Sequence, residues 1–250
     1  MMRKHFLILK ALLIVLVISG LTEIKSQLFL DLESGVVFSG YNDVRIPGDQ
    51  GTLFSLSEEL DASPKVFYRV RAGYTFGTRH NLSVLYAPLE VKSDGSINRD
   101  LTFEGVIFPA GTPLEGTYKF NSYRLTYRYD IVERPKFEFG LGFTAKIRDA
   151  KVAIYSAADE SIKTNVGFVP IINFHAEWKA SENLSFLVDG DALAAPQGRA
   201  EDVLVAMQYK VSEKVRIKAG YRILEGGADN DEVYNFSLFN YAAAGLEFRF

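Results

Sequence analysis

Hydrophobic and polar residues alternate one by one along much of this 250-residue chain. In the stretch KFEFGLGFTAKIR, residues 136–148, Phe137, Phe139 and Leu141 alternate with charged residues and glycines. Successive side chains of an extended strand point to opposite faces, so a period of two predicts a β-strand with one apolar and one polar face. The pattern predicts ten strands, at residues 28–41, 66–76, 82–91, 121–129, 136–148, 166–178, 184–193, 203–211, 215–223 and 242–250.

The connections between these strands differ in length. Because ten strands occur without a convincing long amphipathic helix, the sequence predicts an all-β fold, a single up-and-down antiparallel barrel with eight strands as the alternative count. Tight turns on one side and longer loops on the other are typical of transmembrane barrels. The predicted connections are long or medium at 46–64, 92–116, 149–165, 194–202 and 225–235, and short at 77–81, 131–135, 180–183 and 212–214.

The first 26 residues have the pattern of a secretory signal peptide. Arg3, Lys4 and Lys10 surround an apolar run from Ala11 to Ile18, which is shorter than the roughly 20 apolar residues that a membrane helix needs. We therefore expect a signal peptide at 1–26 and one barrel domain at 27–250. The chain has no cysteine, which excludes disulfides, thiolate metal sites and a lipoprotein anchor.

Net charge argues against a nucleic-acid partner. The full chain carries a formal charge of −3. Residues 1–26 contain four bases and one acid, so their removal takes away a net +3 and leaves −6 on residues 27–250. Phosphate backbones favour basic surfaces, so we expect no nucleic-acid partner.

Alternation alone is compatible with two opposite barrels. A secreted soluble lipid-binding barrel turns its apolar face inward, whereas an outer-membrane barrel turns that face to lipid and its charged face to the lumen. Two features favour the membrane barrel. Small residues on the charged face suit a crowded lumen, and they are Gly140, Gly142, Gly220 and Gly245. Aromatic residues on the apolar face mark an interfacial girdle near the short turns, and they are Phe76, Tyr129, Phe137, Trp178, Tyr209 and Phe250.

The polar faces together predict a charge network inside the lumen. Its members are Asp31, Glu33, Arg69, Arg71, Arg124, Arg128, Glu138, Lys146, Arg148, His175, Glu177, Asp189, Asp191, Arg216, Lys218, Arg222, Glu247 and Arg249. Buried charges must be paired, and barrels of about eight strands are filled by their own side chains. We therefore expect a salt-bridged plug rather than a wide pore. Asp31, Glu33 and Glu138 lie on adjacent strands and are the expected partners of the four arginines Arg69, Arg71, Arg124 and Arg128.

The C-terminal segment YAAAGLEFRF resembles that of bacterial outer-membrane β-barrel proteins, which end on an aromatic strand that the insertion machinery reads. Phe248 and Phe250 match that signal. The chain is similar in class to the small barrels around outer membrane proteins A and W, although ten strands exceed their eight. The resemblance implies a location in the outer membrane of a Gram-negative bacterium. The implied partners are outer-membrane lipids and lipopolysaccharide, the insertion machinery and periplasmic chaperones.

No motif for catalysis, cofactors or metals stands out. His175 lies beside acids in INFHAEWK, and Asp189 with Asp191 invites comparison with the paired aspartates of ten-stranded outer-membrane proteases. No matching His–Asp segment occurs in a loop, and a Ca²⁺ loop needs more spaced oxygen ligands. We therefore predict a non-enzymatic barrel for envelope integrity, surface interaction or narrow small-solute passage. The alternatives are a rim- or lumen-active lipid-modifying enzyme and the secreted soluble lipid-binding barrel.

The predicted outer loops raise a further question. The segment FEGVIFPAGTPLEGTYKF keeps Phe103, Ile107, Phe108 and Leu114 in a loop. These residues either fold over the barrel mouth and become buried, or they form a patch for a ligand or partner. The outer loops are also expected to be acidic, and Asp202 is counted among their acids.

Overall fold

The computed structural model describes residues 27–196 and 198–250, and the predicted signal peptide lies outside them. Within that part of the chain there is no helix long and apolar enough to cross a membrane. The strands are β1 (Gln27–Arg45), β2 (Phe54–Ser55), β3 (Leu60–Ala62), β4 (Lys65–Phe76), β5 (His80–Ala87), β6 (Glu90–Ser96), β7 (Leu101–Phe103), β8 (Val106–Phe108), β9 (Pro113–Arg134), β10 (Phe137–Tyr155), β11 (Glu160–Lys179), β12 (Leu184–Ala195), β13 (Gly198–Lys210), β14 (Val215–Asp229) and β15 (Tyr234–Arg249).

Ten strand positions close into one antiparallel barrel. The wall runs β1–β4–β5–β9–β10–β11–β12–β13–β14–β15, and β15 pairs back with β1. β5 and β6 occupy one position because both pair with β9, and Pro88 lies at the break between them. The Asn121 side chain accepts a hydrogen bond from the N–H of Leu89 there, at 3.2 Å. The predicted ten-stranded fold is confirmed, and the count of eight is wrong.

The outer surface of the barrel is apolar and the inner surface is charged. Val66, Phe143 and Val166 are each at least 70% exposed, whereas Arg69 and Arg222 are at most 5% exposed. A solvated exterior would not carry so many large exposed apolar side chains, and a bilayer accommodates them. The soluble barrel is therefore wrong, and the wall faces lipid.

Aromatic side chains gather at the short-turn end of this apolar belt, as predicted. Tyr129, Phe137, Trp178 and Tyr209 are between 37% and 55% exposed. Trp178 stacks on Phe186 with ring centroids 5.7 Å apart. Amphipathic rings favour the headgroup boundary, so this end of the belt marks one membrane interface.

Three predicted outer loops are in fact strand. β10 and β11 pair as far as Tyr155 and Glu160, β12 and β13 as far as Ala195 and Gly198, and β14 and β15 as far as Asp229 and Tyr234. The predicted connections 149–165, 194–202 and 225–235 therefore reduce to short turns. The wall rises beyond the apolar belt, and there Val152 and Ile154 of β10, on the same face as Lys146, are 6% and 0% exposed, so the apolar residues change to the inner face and the alternation reverses its phase.

Two segments, residues 46–64 and 97–112, fold back over the barrel mouth, and together we call them the outer cover. Phe54, Phe103 and Phe108 are at most 1% exposed, and the rings of Phe54 and Phe103 meet edge to face at 6.2 Å. Leu114 is also buried, whereas Ile107 is 60% exposed. Of the four apolar residues of the predicted loop, Phe103, Phe108 and Leu114 are therefore buried over the barrel mouth, and Ile107 is not.

Candidate functional site

Six buried charged residues cross the middle of the lumen and form what we call the central charge cluster. They are Glu33, Arg69, Arg124, Asp191, Asp202 and Arg222, each at most 6% exposed. Asp202 lies at the centre. Its Oδ2 accepts hydrogen bonds from Arg69 Nη2 at 2.9 Å and from Arg124 Nη2, and its Oδ1 accepts one from Arg222 Nη1. One carboxylate thus joins three guanidinium groups from three different strands.

The other two carboxylates complete the pairing. Arg222 donates to both oxygens of Glu33, from Nε at 2.8 Å and from Nη2 at 3.0 Å. Arg124 Nη1 donates to Asp191 Oδ2 at 2.6 Å, and Thr144 donates to the other oxygen of Asp191 at 2.6 Å. Three guanidinium groups therefore face three carboxylates with multiple hydrogen bonds, which is the condition under which charges are stable in a low-dielectric interior.

A second group of charges lies on the short-turn side of the cluster, around Asp189. Asp189 Oδ2 accepts a hydrogen bond from Arg71 Nη1 at 2.9 Å, and its Oδ1 lies 3.2 Å from His175 Nδ1. Arg128 lies 3.6 Å from Asp189 Oδ1 and donates to Asp130 at 3.0 Å. His175 is therefore one member of a shared ion network.

Several of the other inner charges are paired nearer the short turns. Lys218 Nζ contacts Asp31 at 2.7 Å. Glu247 lies between Arg216, at 3.8 Å, and Arg249. Glu138 accepts a hydrogen bond from Lys179. Glu177 is 6% exposed.

These residues line an inner cavity of about 480 Å³ at the short-turn end. Its lining includes Asp31, Arg71, Glu177, Asp189 and Lys218, and it contains no member of the central charge cluster. The cavity is therefore a polar vestibule that ends at the cluster.

An outer cavity of about 490 Å³ lies on the other side of the cluster, under the outer cover. Lys146 and Arg148 line it. Lys146 is 2% exposed, with its Nζ 4.6 Å from the centre of the Phe120 ring. Arg148 donates to the side chain of Asn165. The paired charges of the cluster thus separate two large cavities of the lumen.

The wall of the outer cavity contains an unpaired stretch between β11 and β12. The two strands pair from Lys179 and Ser185 to Ile172 and Ala192, and their ladder ends there. Pro170, which lacks an N–H donor, lies just beyond that end. We call residues 166–171 of β11 and 193–195 of β12 the lateral seam. Phe168, Val169, Pro170, Leu193 and Ala195 of the seam line the outer cavity.

The pairing of the arginines differs from the prediction. Of the expected acids, only Glu33 contacts one of the four arginines, Arg69, at 3.8 Å. Asp31 pairs with Lys218 instead, and Glu138 pairs with Lys179. In a narrow barrel a long arginine side chain reaches the opposite wall, so pairs form across the lumen as well as between neighbouring strands.

Asp202 and Asp130 belong to the network and were missed. The sequence places Asp202 at the end of the predicted connection 194–202 and among the acids of the outer loops. In the structure it lies within β13 with 2% exposure, opposite Leu224 on β14 and Asp191 on β12. Asp202 lies two and four residues before Leu204 and Ala206, so the three share one face of the strand, and this shared phase was the signal that could have placed Asp202 inside.

The last strand closes the barrel. Phe248 lies opposite Leu30 on β1 and Val215 on β14. Phe250 is 67% exposed, and its N–H donates to the carbonyl of Leu28 at 2.9 Å. Both aromatic residues of the predicted insertion signal therefore lie at the short-turn end of the closing strand.

Solved structures share this architecture. The outer membrane protease OmpT from Escherichia coli is similar over 93% of this chain and 100% of that chain, at 11% identity and a TM-score of 0.53. The fold is that of an outer-membrane β-barrel. Such barrels lie in the outer membrane of Gram-negative bacteria, and the apolar belt places this chain there.

Two further structures are similar at lower scores and carry no additional argument. The attachment invasion locus protein Ail of Yersinia pestis covers 89% of this chain and 99% of its own, at 12% identity and a TM-score of 0.40. Neisserial surface protein A covers 89% and 97%, at 14% identity and a TM-score of 0.35. No protein-family model and no curated protein matches the sequence.

Proposed function

We propose that this chain is a non-enzymatic outer-membrane barrel that is closed to the free diffusion of ions. Its role is envelope integrity, surface interaction or the passage of small molecules by a narrow route. The central charge cluster carries the proposal, because its paired side chains cross the lumen between the two cavities. A porin of sixteen or more strands leaves an aqueous channel, whereas ten strands are filled by side chains of this size.

The state of the candidate catalytic groups supports the non-enzymatic reading. Asp189 is shared among Arg71, Arg128 and His175, and Asp191 is held by Arg124 and Thr144. A general base must be within reach of a substrate proton, and a carboxylate held by two or more donors is a poor candidate. A rim- or lumen-active lipid-modifying enzyme therefore has less support.

The proposed partners follow from the surface and the closing strand. Outer-membrane lipids contact the apolar belt, and lipopolysaccharide surrounds the outer end. The insertion machinery recognises Phe248 and Phe250, and periplasmic chaperones hold the chain before assembly. Exposure of Phe250 at the end of β15 supports this role.

Conductance in planar bilayers tests the closed lumen. We expect low or no steady conductance from the unmodified protein. Arg69→Ala with Arg71→Ala removes cationic partners of Asp202 and Asp189, so water should enter and the variant should conduct more or resist heat less. Lys92→Ala, at an exposed position on β6, is the matched control and should behave as the unmodified protein. A large, stable conductance from the unmodified protein would contradict the proposal.

A further inference from the structure

The outer cavity combines an apolar wall with basic side chains. Val152, Phe168, Leu193, Leu224 and Val233 contribute apolar surface to it. Its volume of about 490 Å³ is within the range of roughly 300–1,000 Å³ that is usual for small-molecule sites. Such a cavity suits a ligand that is itself mostly apolar.

Lys146 is the exceptional residue of this cavity. It is 98% buried, as its 2% exposure implies, and it projects from β10 into the lumen. Among residues 27–196 and 198–250, no carboxylate forms a salt bridge with its ammonium group, which lies 4.6 Å from the centre of the Phe120 ring. A buried ammonium without an anionic partner is costly, so its position calls for an anion.

The neighbouring carboxylates do not supply that anion, because Asp191 is bonded to Arg124 and Asp202 is shared among the three arginines of the central charge cluster. Glu225 is paired with Arg199 at 2.7 Å, and Lys163 is paired with Glu104 at 2.9 Å. Arg148 lies two residues after Lys146 on the same face of β10. Its buried Nε has no hydrogen-bond partner in the described part of the chain. Two adjacent inward cations of one strand therefore have unused donors that face the same cavity.

We infer that the outer cavity is a binding site for a small amphipathic anion, a carboxylate with an aliphatic chain. The carboxylate binds Lys146 and Arg148, and the chain lies against the apolar wall. The ligand exchanges with the bilayer through the lateral seam, where β11 and β12 are unpaired and their apolar residues line the cavity. The inference goes beyond the closed barrel, because it concerns only the space on the outer side of the central charge cluster.

Saturation binding of radiolabelled dodecanoate tests the site, with the barrel in lipid nanodiscs and empty nanodiscs as background. We expect one saturable site per barrel, and dodecylamine, which has a cationic head, should not compete for it. Lys146→Met should weaken binding by about tenfold or more, since a hydrogen bond to a charged group is lost. Lys146→Arg keeps the charge and should retain binding.

Lys92→Met is the matched control, because Lys92 is exposed and lies outside the cavity. Heat-modifiable gel mobility shows that each variant is folded. Equal affinity of the Lys146→Met and Lys92→Met variants would overturn the inference, as would the absence of saturable dodecanoate binding or equal competition by dodecylamine. None of these results depends on conductance, so the proposal of a closed lumen and the proposal of a ligand site can be refuted independently.

The rate at which bound dodecanoate leaves for empty vesicles tests the lateral route. Phe168→Ala widens the seam and should speed release several-fold, and Ala195→Phe fills it and should slow release. Phe143→Ala, at a lipid-facing position that is 72% exposed and outside the cavity, should leave the rate unchanged. Equal release rates in all three variants would overturn exchange through the seam.

Discussion

Asp202 joins three guanidinium groups, so Asp202→Asn should destabilise the barrel more than any other single carboxylate-to-amide change in the central charge cluster. The substitution keeps the shape of the side chain but removes its charge and turns an amide NH₂ toward cationic donors. Arg222 keeps Glu33 and Arg124 keeps Asp191. Arg69 keeps only a contact with Glu33 at 3.8 Å, and Glu33 is already bonded to Arg222. One buried positive charge is left in excess.

Breaking a buried ion pair by removing one partner costs about 3–5 kcal/mol. At about 1.4 kcal/mol per factor of ten, we expect the folding equilibrium to fall by a factor of about a hundred to a few thousand. Urea titration in lipid vesicles measures this change, and Trp178, the only tryptophan of the chain, reports folding from its exposed position on the lipid side.

Glu201→Gln is the matched control, since Glu201 is the preceding residue on β13 and points to the opposite face of the wall. It should change the free energy of unfolding little. Adding Arg69→Met to Asp202→Asn removes the excess charge and should recover part of the lost stability. Equal unfolding midpoints for Asp202→Asn and Glu201→Gln would refute the reasoning.

Three further outcomes are expected. Ile217→Arg, on the lipid face, should cost about 2–4 kcal/mol of assembly free energy, whereas Val211→Arg at the turn should cost about 0–1 kcal/mol. Equal yields of heat-modifiable barrel from the two variants would contradict the placement of Ile217 in the lipid-facing belt. Phe250→Asp should lower the assembled but not the exported protein, with Phe250→Tyr as control, and normal assembly of the first would count against the insertion signal. The hydrogen bond from Arg99 lowers the pKa of Glu59 in the outer cover. The ionised Glu59 therefore stabilises the cover fully above its usual pKa of 4.5, and this stabilisation is lost as pH falls through the lowered pKa. Proteolysis of residues 46–64 should therefore accelerate on acidification, and a Glu59→Gln variant should be cleaved quickly at every pH; an identical pH response in both would contradict this.

The sequence predicted the barrel because lipid imposes a strict rule on each strand. Within the belt every outward residue must be apolar, so stretches such as 136–148 and 215–223 carry a clean period of two. Beyond the belt that constraint ends, and in the extension of β10 to Tyr155 the buried apolar residues Val152 and Ile154 lie on the inner face, which carries charges lower in the same strand. A period of two in one phase therefore stops at the end of the belt, although the strand itself continues.

The sequence predicted which charged residues face the lumen, but it did not predict which acid pairs with which base. Inward position and charge are both readable from the alternation, which is why Arg124, Asp191 and Arg222 could be named. Which acid meets which base depends on the diameter and stagger of the barrel, and these quantities are set only when the chain closes. The unpartnered state of Lys146 and the end of the β11–β12 ladder are likewise properties of the closed wall.

The pairing of β15 with β1 has a consequence for the order of assembly. Their ladder joins Phe29 to Arg249 and Arg45 to Tyr234, so it brings together the two ends of the described chain. Arg222 and Glu33 are 189 residues apart in sequence, and Arg69 and Asp202 are 133 apart. An open, half-assembled sheet would hold these charges apart and face them to lipid or water without partners. We therefore expect closure of the wall and neutralisation of the interior to be coupled, because each depends on contacts between strands that are distant in sequence.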